Sequence, residues 1–184
     1  MQKLTTMKNS GLIAGLFTLL CACTNDDVKP TETAGDLPKI VINEFMASNQ
    51  YSHLDSDGGG DYKDWIELYN AGDKAVDLGG LYISDNKNYK SKYQIATSDP
   101  GKTTIQPGGY LILWADSDLE QGVLHLDFKL SANGEDLGIY TADGRTIDET
   151  TFGSQVTDVS AGRLPNGSGP WTTFTKPTPG TANK

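Results

Sequence analysis

The chain has 184 residues, with 15 basic side chains against 24 acidic ones and a net charge of −9. An acidic protein of this size lacks the basic field that a phosphate backbone requires, which argues against nucleic acid as a partner. Two cysteines (Cys21, Cys23) and two histidines (His53, His125) give neither a disulfide framework nor the spacing of a zinc pair.

At the N-terminus Lys3 and Lys8 precede an uncharged run from Gly11 to Leu20. The run has the length of a signal-peptide core and is too short to span a bilayer. It ends in Leu20-Cys21-Ala22-Cys23, which resembles the lipobox of bacterial lipoproteins. The resemblance implies that residues 1–22 are removed and that Cys23 is acylated, giving a cell-envelope protein held by lipid; the outer membrane is the expected address, with either of its faces open. Each buried methylene of such an anchor contributes about 0.8 kcal/mol, so no transmembrane helix is needed. Loss of Lys3 and Lys8 would leave 13 basic residues against 24 acidic, or −11.

From Cys23 to Pro38 the composition turns to Thr, Asp, Glu, Pro and Gly, and Val28 and Leu37 are the only sizeable apolar residues. Such a segment buries too little to offset its ordering entropy and reads as a tether. Asn25-Asp26-Asp27 is similar to the acidic export signals of bacterial surface lipoproteins, and it reads equally well as solvated linker. Residues 39–184 then have the size of one domain.

The first predicted strand is Lys39 to Met46. If Ile40 and Ile42 face the core, strict alternation turns Glu44 inward as well. Either a bulge near Asn43 re-aims the chain or Glu44 finds donors, and a bidentate pair with Arg163 would supply them. Asp64 to Asn70 alternates apolar Ile66 and Leu68 with Trp65, Glu67 and Tyr69, the period-2 pattern of a half-buried central strand. Further strands are expected at Ala75 to Ser84, bent at Gly79-Gly80, and at Tyr93 to Ala96 and Thr103 to Ile105, which the turn Ser98 to Gly101 divides. Tyr110 to Trp114, apolar throughout, should be buried on both faces. Leu124 to Phe128, Asp136 to Tyr140 and Arg145 to Phe152 complete the series, and Trp114 and Trp171 read as core anchors. Short strands at regular spacing, without a convincing helix, predict an all-β antiparallel sandwich.

Several of these stretches, in order, resemble the motifs of bacterial lamin tail domains: Ile42-Asn43-Glu44, Asp64 to Asn70, Leu78 to Asp85 and Ile105 to Tyr110. Gly162 to Gly167, Trp171 and Thr178 to Asn183 agree as well, so the resemblance covers nearly all of Lys39 to Asn183. It implies an immunoglobulin-like sandwich and no catalytic residue. In bacteria such domains often accompany secreted hydrolases; here the expected role is a non-catalytic binding or adhesion module with a protein or glycan partner.

Three constellations could carry binding chemistry. Asp55, Asp57, Asp61 and Asp64 enclose Gly58-Gly59-Gly60, and their start resembles an EF-hand loop. Hard oxygen ligands on a flexible loop suit calcium. The pattern departs where Gly59 and Ile66 stand at ligand positions, and a solvated turn in which Asp caps its own backbone is the simpler reading. Lys87 to Tyr93 interleaves basic and aromatic residues, with Tyr89 and Tyr93 able to stack on a ligand, although in an acidic chain a surface loop that has collected Lys and Tyr is the simpler reading. Trp65 and Tyr69 would form a carbohydrate platform if their face were open. A calcium-dependent carbohydrate-binding accessory is therefore the alternative reading. A small hydrolase would need two carboxylates in an open cleft, a three-dimensional matter.

Overall fold

The computed structural model describes residues 35–56 and 60–184. The leader, Cys23, most of the tether, and Asp57 of the acidic loop lie outside the described residues. Among those described, eleven strands form three sheets whose strand ladders are antiparallel. In chain order they are β1 (Ile40–Met46), β2 (Trp65–Asn70), β3 (Val76–Asp77), β4 (Tyr82–Ser84), β5 (Tyr93–Gln94) and β6 (Thr104–Ile105). Then come β7 (Tyr110–Trp114), β8 (Glu135–Tyr140), β9 (Thr146–Phe152), β10 (Ser160–Arg163) and β11 (Trp171–Phe174). One sheet runs β11-β10-β1-β2-β7, a second β5-β4-β8-β9, and β3 pairs with β6.

The two larger sheets enclose one core. Ile40, Ile42, Phe45, Ile66, Leu68 and Leu113 from the first meet Ile83, Leu137 and Ile139 from the second, all buried. Full burial of side chains of this kind contributes about 1.5–3 kcal/mol each, which makes this apolar layer the main stabilising feature of the fold. A second cluster of Met46, Trp65 and Trp114 lies beside it, so Trp114 is an anchor as expected. Trp171 is only half-buried and packs edge-on against Phe45.

The difficulty in β1 is resolved by a bulge. Register moves from Ile42 opposite Leu68 to Glu44 opposite Glu67, so Asn43 is the extra residue. Phe45 rather than Glu44 thereby follows Ile40 and Ile42 into the core. The expected pairing of Glu44 with Arg163 does not form. Arg163 Nη2 lies 3.1 Å from both oxygens of Asp148, its Nε donates to the Ile42 carbonyl oxygen at 3.0 Å, and its guanidinium stacks on Trp171. Asp148 completes the exchange by accepting from Ile42 N–H at 2.8 Å, so that side chains meet both the N–H and the carbonyl oxygen of Ile42. Arg163→Met is expected to cost about 2 kcal/mol, because it strands a partly buried carboxylate. Denaturant melts read this directly, and an unchanged midpoint would remove Arg163 from the fold's supports.

Other differences have local causes. Trp65 and Glu67 are fully buried, so β2 is covered on both faces rather than half-buried. The segment Ala75 to Ser84 divides into β3 and β4 at Gly79-Gly80, as the bend predicts; Gly80 adopts φ +87°. Between β5 and β6 the turn tightens into a single helical turn, Pro100–Thr103, with proline at its first position. Tyr110, Leu111 and Ile112 of β7 are only partly buried. Leu124 to Phe128 makes no extended ladder. It meets β7 through one parallel bridge between His125 and Trp114, flanked by two 2.8 Å backbone bonds, while Leu126 and Phe128 fill the core. Strands β10 and β11 lack an alternating apolar pattern (Ser-Ala-Gly-Arg and Trp-Thr-Thr-Phe) and are strands because β1 offers an edge to β10 and β10 in turn offers one to β11.

Candidate functional site

The described carboxylates of the acidic loop are held apart. Asp55 N–H donates to the Asp61 carbonyl oxygen at 2.9 Å and a bridge joins Leu54 to Tyr62, which pinches the loop shut. Asp55 points inward and is fully buried, whereas the Asp61 side chain is 75% exposed beside Lys63. Asp64 Oδ1 accepts from Asn49 N–H at 3.0 Å, and burial raises its pKa above the ordinary carboxylate value. Asp55, Asp61 and Asp64 thus face three different surroundings. Asp55 instead lies with Asp116 and His125, one ligand-type atom of each falling within 4.8 Å of the others. Neither Asp116 nor His125 stands out in the sequence. They lie nine residues apart on either side of a 3-10 turn, Leu119–Gln121, with no motif to link them to Asp55.

The aromatic candidates also part company. Trp65 is 0% exposed and its ring meets His53 edge-on, while His53 stacks on Trp114 at 5.5 Å. It therefore offers no platform, and burial in this aromatic cluster also lowers the pKa of His53. Tyr69 is half-buried against Tyr110, with ring centres 5.1 Å apart. Tyr93 is half-buried and donates its hydroxyl to the His125 carbonyl oxygen at 3.1 Å, so it braces the fold.

Tyr89 is different. It is 56% exposed and lines an open cleft of about 500 Å³ between the loop of residues 87–91 and the turn of residues 141–144. Tyr82, Lys87, Asn88 and Lys90 share its wall. The loop is held rather than loose. Ser84 Oγ sits 2.8 Å from the Tyr89 carbonyl oxygen, Lys87 pairs with Asp136 at 3.1 Å, and Lys90 Nζ donates to Thr146 Oγ1 at 2.8 Å over the Tyr140 ring. A wall of two tyrosines, two ammonium groups and an amide on this held loop matches the chemistry that stacks on a sugar face and bonds its hydroxyls.

Two close carboxyl groups do exist, at Glu44 and Glu67, directly opposite each other on β1 and β2. They do not line a cleft. The C-terminal segment lies over them: Thr178 donates from N–H and Oγ1 to Glu44, and Gly180 N–H donates to Glu67 at 2.6 Å. Ser160 Oγ completes Glu44 and Asn43 Nδ2 completes Glu67 at 2.8 Å. Burial pushes the Glu67 pKa up to about 7, with Asn43 and Gly180 opposing the rise and Glu44 adding to it. Asn183 fastens the segment by donating Nδ2 to the carbonyl oxygens of Asn43 and Arg163. This pair seals the sheet rather than facing a substrate.

Two stacked antiparallel sheets around one apolar core define an immunoglobulin-like β-sandwich module. The chain belongs to the Lamin Tail Domain family, whose model matches residues 33–154. No curated protein matches the chain. The match ends just past β9, while β10, β11 and the segment over Glu44 and Glu67 lie beyond it and complete the five-stranded sheet.

Proposed function

We propose that this protein is a non-catalytic binding module, tied to the cell envelope by lipid on Cys23 and presenting its sandwich to a partner outside. The observation that carries this reading is the cleft at Tyr89, open to solvent and walled by a loop whose backbone and lysines are held in place. Its aromatic and amide-bearing wall favours a glycan over a protein strand. The buried and hydrogen-bonded state of Glu44 and Glu67 supports binding rather than hydrolysis, since neither carboxyl group reaches an open surface. No helix among the described residues is long and apolar enough to cross a membrane, which is compatible with attachment by lipid.

Full-length protein in detergent micelles, screened on a glycan array, tests the reading. Binding is expected on a subset of glycans, and Tyr89→Ala should weaken it about tenfold, the loss of one contact worth about 1.4 kcal/mol. Cys23→Ser should move the protein from the membrane to the soluble fraction without changing glycan affinity. Absence of any glycan that depends on Tyr89 would sink the cleft as the binding surface.

A further inference from the structure

Asp55, Asp116 and His125 stand apart from the cleft and play no part in the reading above. We propose that these three side chains form a binding site for one divalent first-row transition ion of the zinc type. They come from three separate segments, and their relative exposures are 0%, 7% and 1%. One nitrogen or oxygen from each lies within 4.8 Å of the other two, and His125 Nδ1 is 3.0 Å from Asp116 Oδ2. Ligands about 2.0–2.2 Å from a tetrahedral zinc ion lie about 3.3–3.6 Å from one another, so small side-chain movements close the site.

Each member is held from behind. The pinched loop turns Asp55 inward. Asp118 N–H donates to Asp116 Oδ1 at 3.1 Å and Gln121 Nε2 to Oδ2 at 3.2 Å. His125 is fixed by its bridge to Trp114 and by the Tyr93 hydroxyl on its carbonyl oxygen. A second, independent sign is the unmet hydrogen bonding there: His125 Nε2 and Gln121 Oε1 are both buried without a partner. Such atoms are costly to bury, and a buried ring nitrogen without a partner is open to a metal ion whenever the ring's proton sits on its other nitrogen. The ion can be taken through either ring nitrogen, with Asp116 ligating beside Nδ1 or orienting the ring while Nε2 ligates.

The imidazole decides the class of ion, because calcium and magnesium prefer all-oxygen sets while zinc and its neighbours accept nitrogen with carboxylate. A cleft of about 220 Å³, walled by Tyr62, Lys63, Asp64, Ala115, Asp116 and Lys129, opens to solvent beside Asp116. The chain's net charge of −9 favours entry of a cation.

The test uses the full chain carrying Cys21→Ser and Cys23→Ser, so that no thiol competes, stripped with chelator and titrated with zinc in excess calcium. One equivalent is expected to bind. Asp55→Asn and His125→Gln should each weaken binding at least about tenfold, and Asp61→Asn should leave it unchanged. Because a variant at a buried position can fail to fold, the chain with only its cysteines replaced supplies a second readout. Zinc should shift the imidazole nitrogen resonances of His125 and leave those of His53 in place. Substoichiometric binding, an unmoved His125 ring, or affinity lost with Asp61→Asn but kept with Asp55→Asn would each overturn the proposal.

Discussion

Ending the chain at Pro177 is expected to lower the melting temperature by roughly 10–20 °C, if cooperative folding survives at all. The removed residues donate three groups to buried carboxyls: Thr178 N–H and Oγ1 to Glu44, and Gly180 N–H to Glu67. They also supply Asn183, whose side chain bonds the backbone of Asn43 and Arg163 and whose N–H donates to Asn166 Oδ1. Each buried acceptor left without its donor costs about 1–3 kcal/mol. Entry of water to the exposed carboxyls offsets part of the loss. About 5 kcal/mol remains, a large share of the 5–15 kcal/mol typical of a domain. Asn183→Ala alone should remove about 2 kcal/mol, whereas deleting only Lys184, which is exposed and no part of this network, should change nothing. Calorimetric melts of the three proteins would show the order. A truncated chain that melts with the intact one would mean that the segment merely lies on the sheet.

The second large effect is on pH dependence. Glu67 keeps its proton in the folded state up to about pH 7, whereas in the unfolded chain it loses it near the ordinary value of 4.5. Between those values the folded state holds more protons than the unfolded one, so stability falls as pH rises and levels off above about 7. The full drop from this group is about 3 kcal/mol. Asp64 and Glu135, also raised by burial, push the same way, while His53, lowered by burial, pushes the opposite way as pH rises towards 6.5. Asp77, Asp136 and Asp143 are held low by hydroxyl donors from Thr103, Thr151 and Thr141, and they matter only below about pH 4. The difference between the unsubstituted chain and Glu67→Gln therefore isolates Glu67. The variant should lose most of the slope, even though its amide places an N–H against a donor and costs stability at acid pH. Parallel stability curves for the two proteins would show that Glu67 titrates as an exposed carboxylate does.

Much of the sandwich was legible because its strands obey local rules. Ile66 and Leu68 alternate, Gly79-Gly80 mark a bend, and Asn133-Gly134 and Ala142-Asp143-Gly144 stop and restart the chain at the ends of β8 and β9. What escaped was set by distant partners. Trp65 and Glu67 look solvent-facing within β2, and they are buried because His53 and the segment around Gly180 come to cover them. β10 and β11 contain too few apolar residues to announce themselves. Arg163 was legible as a carboxylate holder, but Asp148 rather than Glu44 meets it, since the bulge at Asn43 turns Glu44 towards Thr178. The candidate sites were the least legible. Tyr89 was visible in its basic and aromatic stretch, whereas the trio of Asp55, Asp116 and His125 has no spacing to read, because its members meet only when the sandwich closes.

The place of β1 between β2 and β10 also sets how the molecule forms and how long it lasts. Glu44 and its donor Thr178 are 134 positions apart in the chain. Closing a loop of that length comes before any reward from the contact, so folding of this topology belongs to the slow, millisecond-to-second class. The barrier that delays assembly also stands against disassembly where the closing contacts form late, and unfolding must then break the seal at Thr178 before β1 can leave the sheet. Where protease is abundant, survival of such a domain follows that escape rate more closely than it follows equilibrium stability.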